Sequence, residues 1–159
     1  KWVQKNIPWE KQWEKAARGG LKIPDWKNSS TFILLKENPY QQRQYPWGND
    51  NVDTPFYKAN YNTEKDGYKV LCPVLSFEGV GDSPYGCTNM SGNVWEWCSD
   101  WYNNNAYKEK KNETQNIYKS CRGGSWGSKP FQLRCSYRHG VDPRSSNNDL
   151  GFRCVILCK

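Results

Sequence analysis

The sequence is short of the features that mark several large classes of protein. No uninterrupted apolar run in its 159 residues approaches the roughly 18 needed to cross a bilayer, so no spanning helix is expected. The opening KWVQKNIPWEKQWEK alternates charge with tryptophan where a secretory signal needs an apolar stretch of about 7–15 residues, so any export signal is expected to be removed or never to have existed. A single histidine, and seven cysteines without CxxC spacing, leave no Cys/His constellation for zinc. Long basic runs are missing as well. Among 23 Lys/Arg against 16 Asp/Glu the longest is Lys108–Lys111, already interrupted by Glu109. The net charge of +7 therefore reads as solvated loop charge, and no nucleic-acid partner is expected.

Aliphatic content is also low. Hydrophobic residues make up 36% and mean hydropathy is −1.01, a balance that would suggest disorder. Against it stand 9 Trp, 10 Tyr and 5 Phe. Each can bury about 150–250 Å², enough together to build one core. Length allows one domain of ordinary size. Thirteen glycines and nine prolines point to a loop-rich body. The cysteines (72, 87, 98, 121, 135, 154 and 158) suit disulfides and hence an extracytoplasmic compartment, with reduced buried thiols the alternative. Their odd number leaves one thiol free or paired outside the chain.

Pro8 suits a first helical turn, and Trp9, Trp13, Ala16 and Ala17 form an apolar stripe that ends at Gly19-Gly20, predicting a helix over 9–18. Residues 21–44, broken by Pro24 and Pro39, read as an insertion loop with one short strand at 31–35. Further short strands are predicted at 69–77, 94–98, 120–126 and 152–157. Connections this long in a compact domain usually bind something or need a tether.

Several segments occur together in order: WEKQWEKAARGG (9–20), YPWGN (45–49), NMSGNVWEWCSDWY (89–102), then RGGSW (122–126), RCSYR (134–138) and GFRC (151–154). The combination resembles the formylglycine-generating enzyme, or sulfatase-modifying factor, family. The resemblance covers nearly all of the chain apart from 21–44. It implies an irregular α+β fold of the C-type-lectin-like type with little regular secondary structure. It also implies a domain, residues 1–159, that lacks the family's N-terminal part, completed by a missing N-terminal fragment or another protein partner.

By this resemblance Asn89, Gly92, Val94 and Glu96 match a calcium site, and Asn60, Tyr61, Asp66 and Tyr68 a second one, across a shortened loop. An amide oxygen, two main-chain carbonyls and a carboxylate at each suit a hard cation that takes oxygen ligands. The plain alternative for Glu96 is a pair with an arginine such as Arg122. Catalysis in the family uses two cysteines downstream of RGGS to hold copper. Here the first position looks like Ser128, and the stretch from there to Cys135 is three residues shorter and has no cysteine. Hydroxyl oxygen does not replace thiolate for a soft ion. An iron-using branch takes its histidines from an added helical domain, and His139 alone makes no facial triad.

The resemblance further places Cys135 and Cys154 at disulfide positions, with the partner of Cys135 at Ala17 and that of Cys154 ahead of Lys1. Cys98 and Cys121 are a plausible pair on neighbouring strands, and Cys72 with Cys87 a weaker one; Cys158 has none assigned. Ser125, Trp126 and Ser128 are expected to line a ligand groove, with Trp95 and Trp97 in the core. Arg138 and Arg153 are expected to pair with acids such as Glu14, Glu96 or Asp100. Some members of the fold are display proteins whose region from RGGSW to GFR binds ligands, as in diversity-generating retroelements. The leading expectation is a catalytically inactive, calcium-stabilised binding or assembly domain. Its rivals are a formylglycine-generating or related metal-dependent oxidase, and a structural subunit of an extracellular assembly.

Overall fold

The computed structural model describes residues 5–27, 33–104 and 117–156. The Lys108–Lys111 run, residues 31–32 of the strand expected at 31–35, and Cys158 lie outside them. One helix, α1 (Glu10–Arg18), is followed by β1 (Lys22–Pro24), β2 (Leu35–Glu37), β3 (Trp95–Trp101), β4 (Lys119–Arg122), a 3₁₀ turn (Pro130–Leu133), β5 (His139–Val141) and β6 (Leu150–Gly151). This is the irregular α+β fold that the sequence implies. Within 21–44, β1 and β2 pair antiparallel. The main sheet runs β5-β4-β3-β6, antiparallel except for the parallel pairing of β3 with β6. No described helix is long and apolar enough to cross a membrane.

Helix α1 starts where the Gln12 side chain reaches back to the Trp9 N–H at 2.8 Å, and ends at Gly19 with φ +82°. Its buried face differs from the expected stripe. Glu10, Trp13 and Ala17 are buried, while Trp9 is 59% exposed. The cause is ionic. Glu10 Oε1 accepts from Arg122 Nη1 at 2.7 Å and Arg138 Nε at 2.6 Å, and Oε2 from Arg138 Nη2 at 2.7 Å and the Ser120 hydroxyl at 3.0 Å. Arg122, fully buried, also reaches Glu14 Oε2 at 2.9 Å and lies over the Trp13 ring. One carboxylate thus fastens the helix to β4 and to the segment that carries Arg138.

A second carboxylate ties the other way. Glu96 on β3 accepts from Trp13 Nε1 at 2.6 Å and from Arg153 Nε and Nη2 at 2.6 and 2.7 Å. Glu96 faces Arg122 across the β3–β4 ladder, but its arginine is Arg153, because Arg122 is drawn to the helix. The core gathers beneath these pairs in two clusters, Trp13, Ala17, Met90, Cys98 and Cys135 in one and Tyr45, Val52, Ala59, Tyr61 and Leu133 in the other. Trp95 is buried as expected, whereas Trp97 is half-exposed beside a cavity shared with Ile7, Ser99, Lys119 and Pro143.

Four strand expectations change. In the region expected at 31–35, described residues 33–34 are coil and β2 begins only at Leu35. Segment 69–77 is turn and coil, because asparagine side chains rather than a neighbouring strand take its backbone groups. Strand β4 stops at Arg122, since Gly123 and Gly124 adopt φ +94° and +77°. In place of a strand at 152–157 there is β6 and then a single bridge, Asn6 N to Val155 O at 3.0 Å with the return bond at 2.8 Å.

None of the six described cysteines is bonded to another, which corrects the Cys98–Cys121 and Cys72–Cys87 expectations. Cys121 stands opposite Trp97, so Cys98, one residue further along β3, projects to the other face of the sheet, toward Trp13 and Met90. Cys72 and Cys87 are likewise unpaired, and Cys154 is exposed. Cys135 packs in the same cluster as Ala17, the position where the resemblance puts its lost partner. Burial pushes the thiols of Cys121 and Cys135 up to about 12, so both are protonated at neutral pH.

Candidate functional site

The residues expected to hold calcium fall into two groups, one beginning at Asn60 and the other at Asn89, the second leading into β3. Asn60 is fully buried and Asn89 8% exposed, and the Oδ1 atoms of both are buried and accept no hydrogen bond. An amide oxygen left so costs about 1–3 kcal/mol, which asks for a partner. Their Nδ2 groups are engaged, with the carbonyls of Val70 and Val74, each at 2.6 Å. Near Asn60, Asp66 accepts the backbone N–H groups of Tyr61 and Tyr68, both at 3.0 Å. Carboxylate oxygens carry further lone pairs, so this group of donors suits a hard cation.

At the other group, the local turn is held by Gly92 at φ +79° and by Asn89 and Asn93 at φ +53° and +65°, a region that asparagine tolerates. A Cβ on Gly92 would lie 2.1 Å from the Asn60 carbonyl oxygen. Gly92→Ala is therefore expected to cost at least about 2 kcal/mol, through strain and collision together, seen as a lower urea midpoint at unchanged slope. Glu96 differs from Asp66 because Arg153 already spans its carboxylate. The same guanidinium contacts the Asn89 carbonyl at 3.0 Å. An ion there would share Glu96 with an arginine, so the Asn60–Asp66 group fits a cation better. Among the described residues no three His, Cys, Asp or Glu cluster as for a transition metal.

The expected groove residues separate. Ser125 and Ser128 are 1% and 3% exposed, which corrects their place from groove to interior. Ser128 Oγ accepts the Ser125 N–H at 2.9 Å and lies 3.3 Å from the Ser125 hydroxyl, which in turn is 3.3 Å from Asp149 Oδ2. Trp126 does reach the surface, half-buried, and its indole N–H is buried without a partner. Beyond it Phe131 and His139 are exposed, Phe131 edge-on to Tyr137 at 5.7 Å and His139 over Trp95 at 4.9 Å. Glu10, Asn93 and Asp149 were not anticipated. Only Glu10 had a sequence signal, its i, i+3, i+7 spacing with Trp13 and Ala17.

Among the described residues, a single helix on a small mixed sheet, long connections, and buried oxygen donors beside a Gly-Gly-Ser crossing define a class of loop-dominated C-type-lectin-like domains. The chain belongs to the sulfatase-modifying factor family: its residues 1–157 match the sulfatase-modifying factor enzyme 1-like domain. It is 33% identical to the formylglycine-generating enzyme of Mus musculus, over 97% of this chain and 40% of that protein. It is 33% identical to the serine/threonine-protein kinase pkn1 of Chlamydia caviae, over 97% of this chain and 21% of that one. With the inactive C-alpha-formylglycine-generating enzyme 2 of Bos taurus identity is 31%, over 97% and 44%. The chain therefore spans less than half of these relatives. Two solved structures share the fold. Treponema denticola variable protein 1 superposes with a TM-score of 0.67 at 22% identity, over 94% of this chain and 46% of that one. PvdO from Pseudomonas aeruginosa gives 0.65 at 23%, over 96% and 52%.

Proposed function

We propose that this domain is a catalytically inactive, calcium-stabilised binding or assembly module of its family. One observation carries the reading. Where the resemblance puts the first copper thiolate, Ser128 is buried in a hydroxyl and carboxylate cluster with Ser125 and Asp149. Such oxygens select hard ions and do not hold Cu(I). A relative named as inactive shows that the family includes members without the activity. The binding face runs from Trp126 through Phe131 to His139, where aromatic rings meet solvent.

Calcium would be held by Asn60, Tyr61, Asp66 and Tyr68, and by Asn89, Gly92, Val94 and Glu96 at the more crowded site. The ion supplies stability by binding only the ordered state. Sites with one carboxylate each and otherwise neutral oxygens belong with weak extracellular modules, of Kd about 10⁻⁴–10⁻³ M, which favours an extracytoplasmic location. The exposed Cys154 offers a thiol for a covalent link to a protein partner. A structural-subunit role draws support from the region of β1 and β2, where Leu21, Trp26, Leu34, Leu35 and Tyr40 are each more than half exposed.

Oxygen uptake with a cysteine-containing peptide and added copper is the deciding assay. No consumption above the buffer rate is expected, and turnover would overturn the reading. Ser128→Ala should lower the melting temperature by a few degrees, because the Ser125 N–H loses a buried acceptor worth about 1–3 kcal/mol. It should leave the stabilisation by calcium unchanged, since Ser128 is no metal ligand in this reading.

A further inference from the structure

The two asparagine oxygens without partners stand at the ends of one short stretch of backbone. Asn60 holds the Val70 carbonyl and Asn89 the Val74 carbonyl. Midway, Asn93 accepts the Cys72 N–H at 3.0 Å and donates to the Cys72 carbonyl at 3.3 Å. Alternate residues 70, 72 and 74 are thus each gripped by an asparagine side chain, and the segment belongs to no described strand. Asn60 Nδ2 also lies 3.4 Å from Asn93 Oδ1, which links the first grip to the second. Along the outside, Val70, Leu71, Val74 and Leu75 are 42%, 52%, 71% and 61% exposed.

We propose that cations held at Asn60 and Asn89 act through the amides of these side chains as a clamp on segment 70–74, so that calcium sets the shape of the aliphatic ridge it carries. The proposal rests on the calcium reading above. A carboxamide is planar, so fixing its oxygen on an ion fixes the direction of its N–H groups. The ion also draws electron density from the amide and strengthens the bond its N–H donates. Without the ion, each buried oxygen gains by turning toward water, and the same rotation pulls its N–H away from Val70 or Val74. Both ends of the segment are then released together, while Asn93, which is not among the expected ligands, ties the middle to the first end. Four aliphatic side chains of the ridge face solvent and Cys72 alone turns inward, a condition for opening locally rather than with the whole domain.

Hydrogen exchange of the full chain, in calcium and in EGTA, tests this alongside calorimetric titration with calcium. Exchange across 70–75 is expected to slow by about 10-fold or more in calcium, beyond any change in α1 or β4. In Asn93→Gly, calcium still binds, but the slowing at Cys72 is lost; glycine accepts the φ of +65° at that position, so the fold is kept. Calcium binding with exchange unchanged over 70–75 would overturn the clamp and leave the calcium sites standing. Uniform slowing over the whole chain would overturn it too, since that is general stabilisation. No binding heat would remove the calcium reading and the clamp with it.

Discussion

Glu10→Ala is expected to destabilise the domain by about 3–5 kcal/mol, because it leaves the fully buried Arg122 and the mostly buried Arg138 without their shared carboxylate. For a chain of this length that is a fall in melting temperature on the order of 10 °C. Exposed charge pairs give no comparable effect: removing Asp142, which meets Arg144 in solvent, should leave the melting temperature almost unchanged. The two variants together separate buried from surface electrostatics. Equal melting temperatures for both would show that Glu10 does not anchor the helix.

The same residue shapes the acid limb of stability. Burial by itself would raise the Glu10 pKa, but hydrogen bonding from Arg138 and the charge of Arg122 outweigh it and leave the value lowered from 4.5. A carboxylate with a lowered folded value contributes fully above its unfolded pKa, and the contribution disappears as pH falls through the folded one. Wild-type stability should therefore decline with acidification below about pH 4.5. Glu10→Gln should be less stable at neutral pH and show a shallower decline, as measured by urea midpoints from pH 3 to 7.

Removal of calcium is expected to give the other large effect. An ion at 100 times its Kd adds about 2.7 kcal/mol to a state that alone binds it, so each filled site raises the melting temperature by roughly 5–10 °C. Magnesium should substitute poorly, since it demands a tighter octahedron than irregular amide and carbonyl donors provide. Asp66→Asn is the informative variant: it removes the charge of the freer site, whereas changing Glu96 would also break its bonds to Trp13 and Arg153. The variant should lose about half of the calcium-dependent rise, judged from the difference between calcium and EGTA in each protein. Identical melting in calcium and EGTA for the wild type would refute calcium stabilisation.

How far these features are legible in the sequence depends on whether a local rule governs them. The helix was readable because Pro8, the Trp13–Ala17 spacing and Gly19 are local signals that agree. The family and its irregular α+β fold were readable from ordered motifs. The buried side of the helix was not, because polarity puts Glu10 on the outside, and only the arginines from residues 122 and 138 bring it in. Segment 69–77 has the composition of a strand, but its hydrogen bonds go to asparagines 10–21 residues away in sequence, a pairing that no periodicity reveals. The Cys98–Cys121 expectation had the right neighbouring strands and the wrong register by one residue, enough to reverse the face. Ser125 and Ser128 were placed beside the right crossing, yet their hydroxyls bond one another and Asp149 and turn inward.

The bridge between Asn6 and Val155 has an architectural consequence. Two stretches far apart in sequence are thereby fastened to each other by backbone alone, so a proline at Val155, which has no N–H to give, would free both at once.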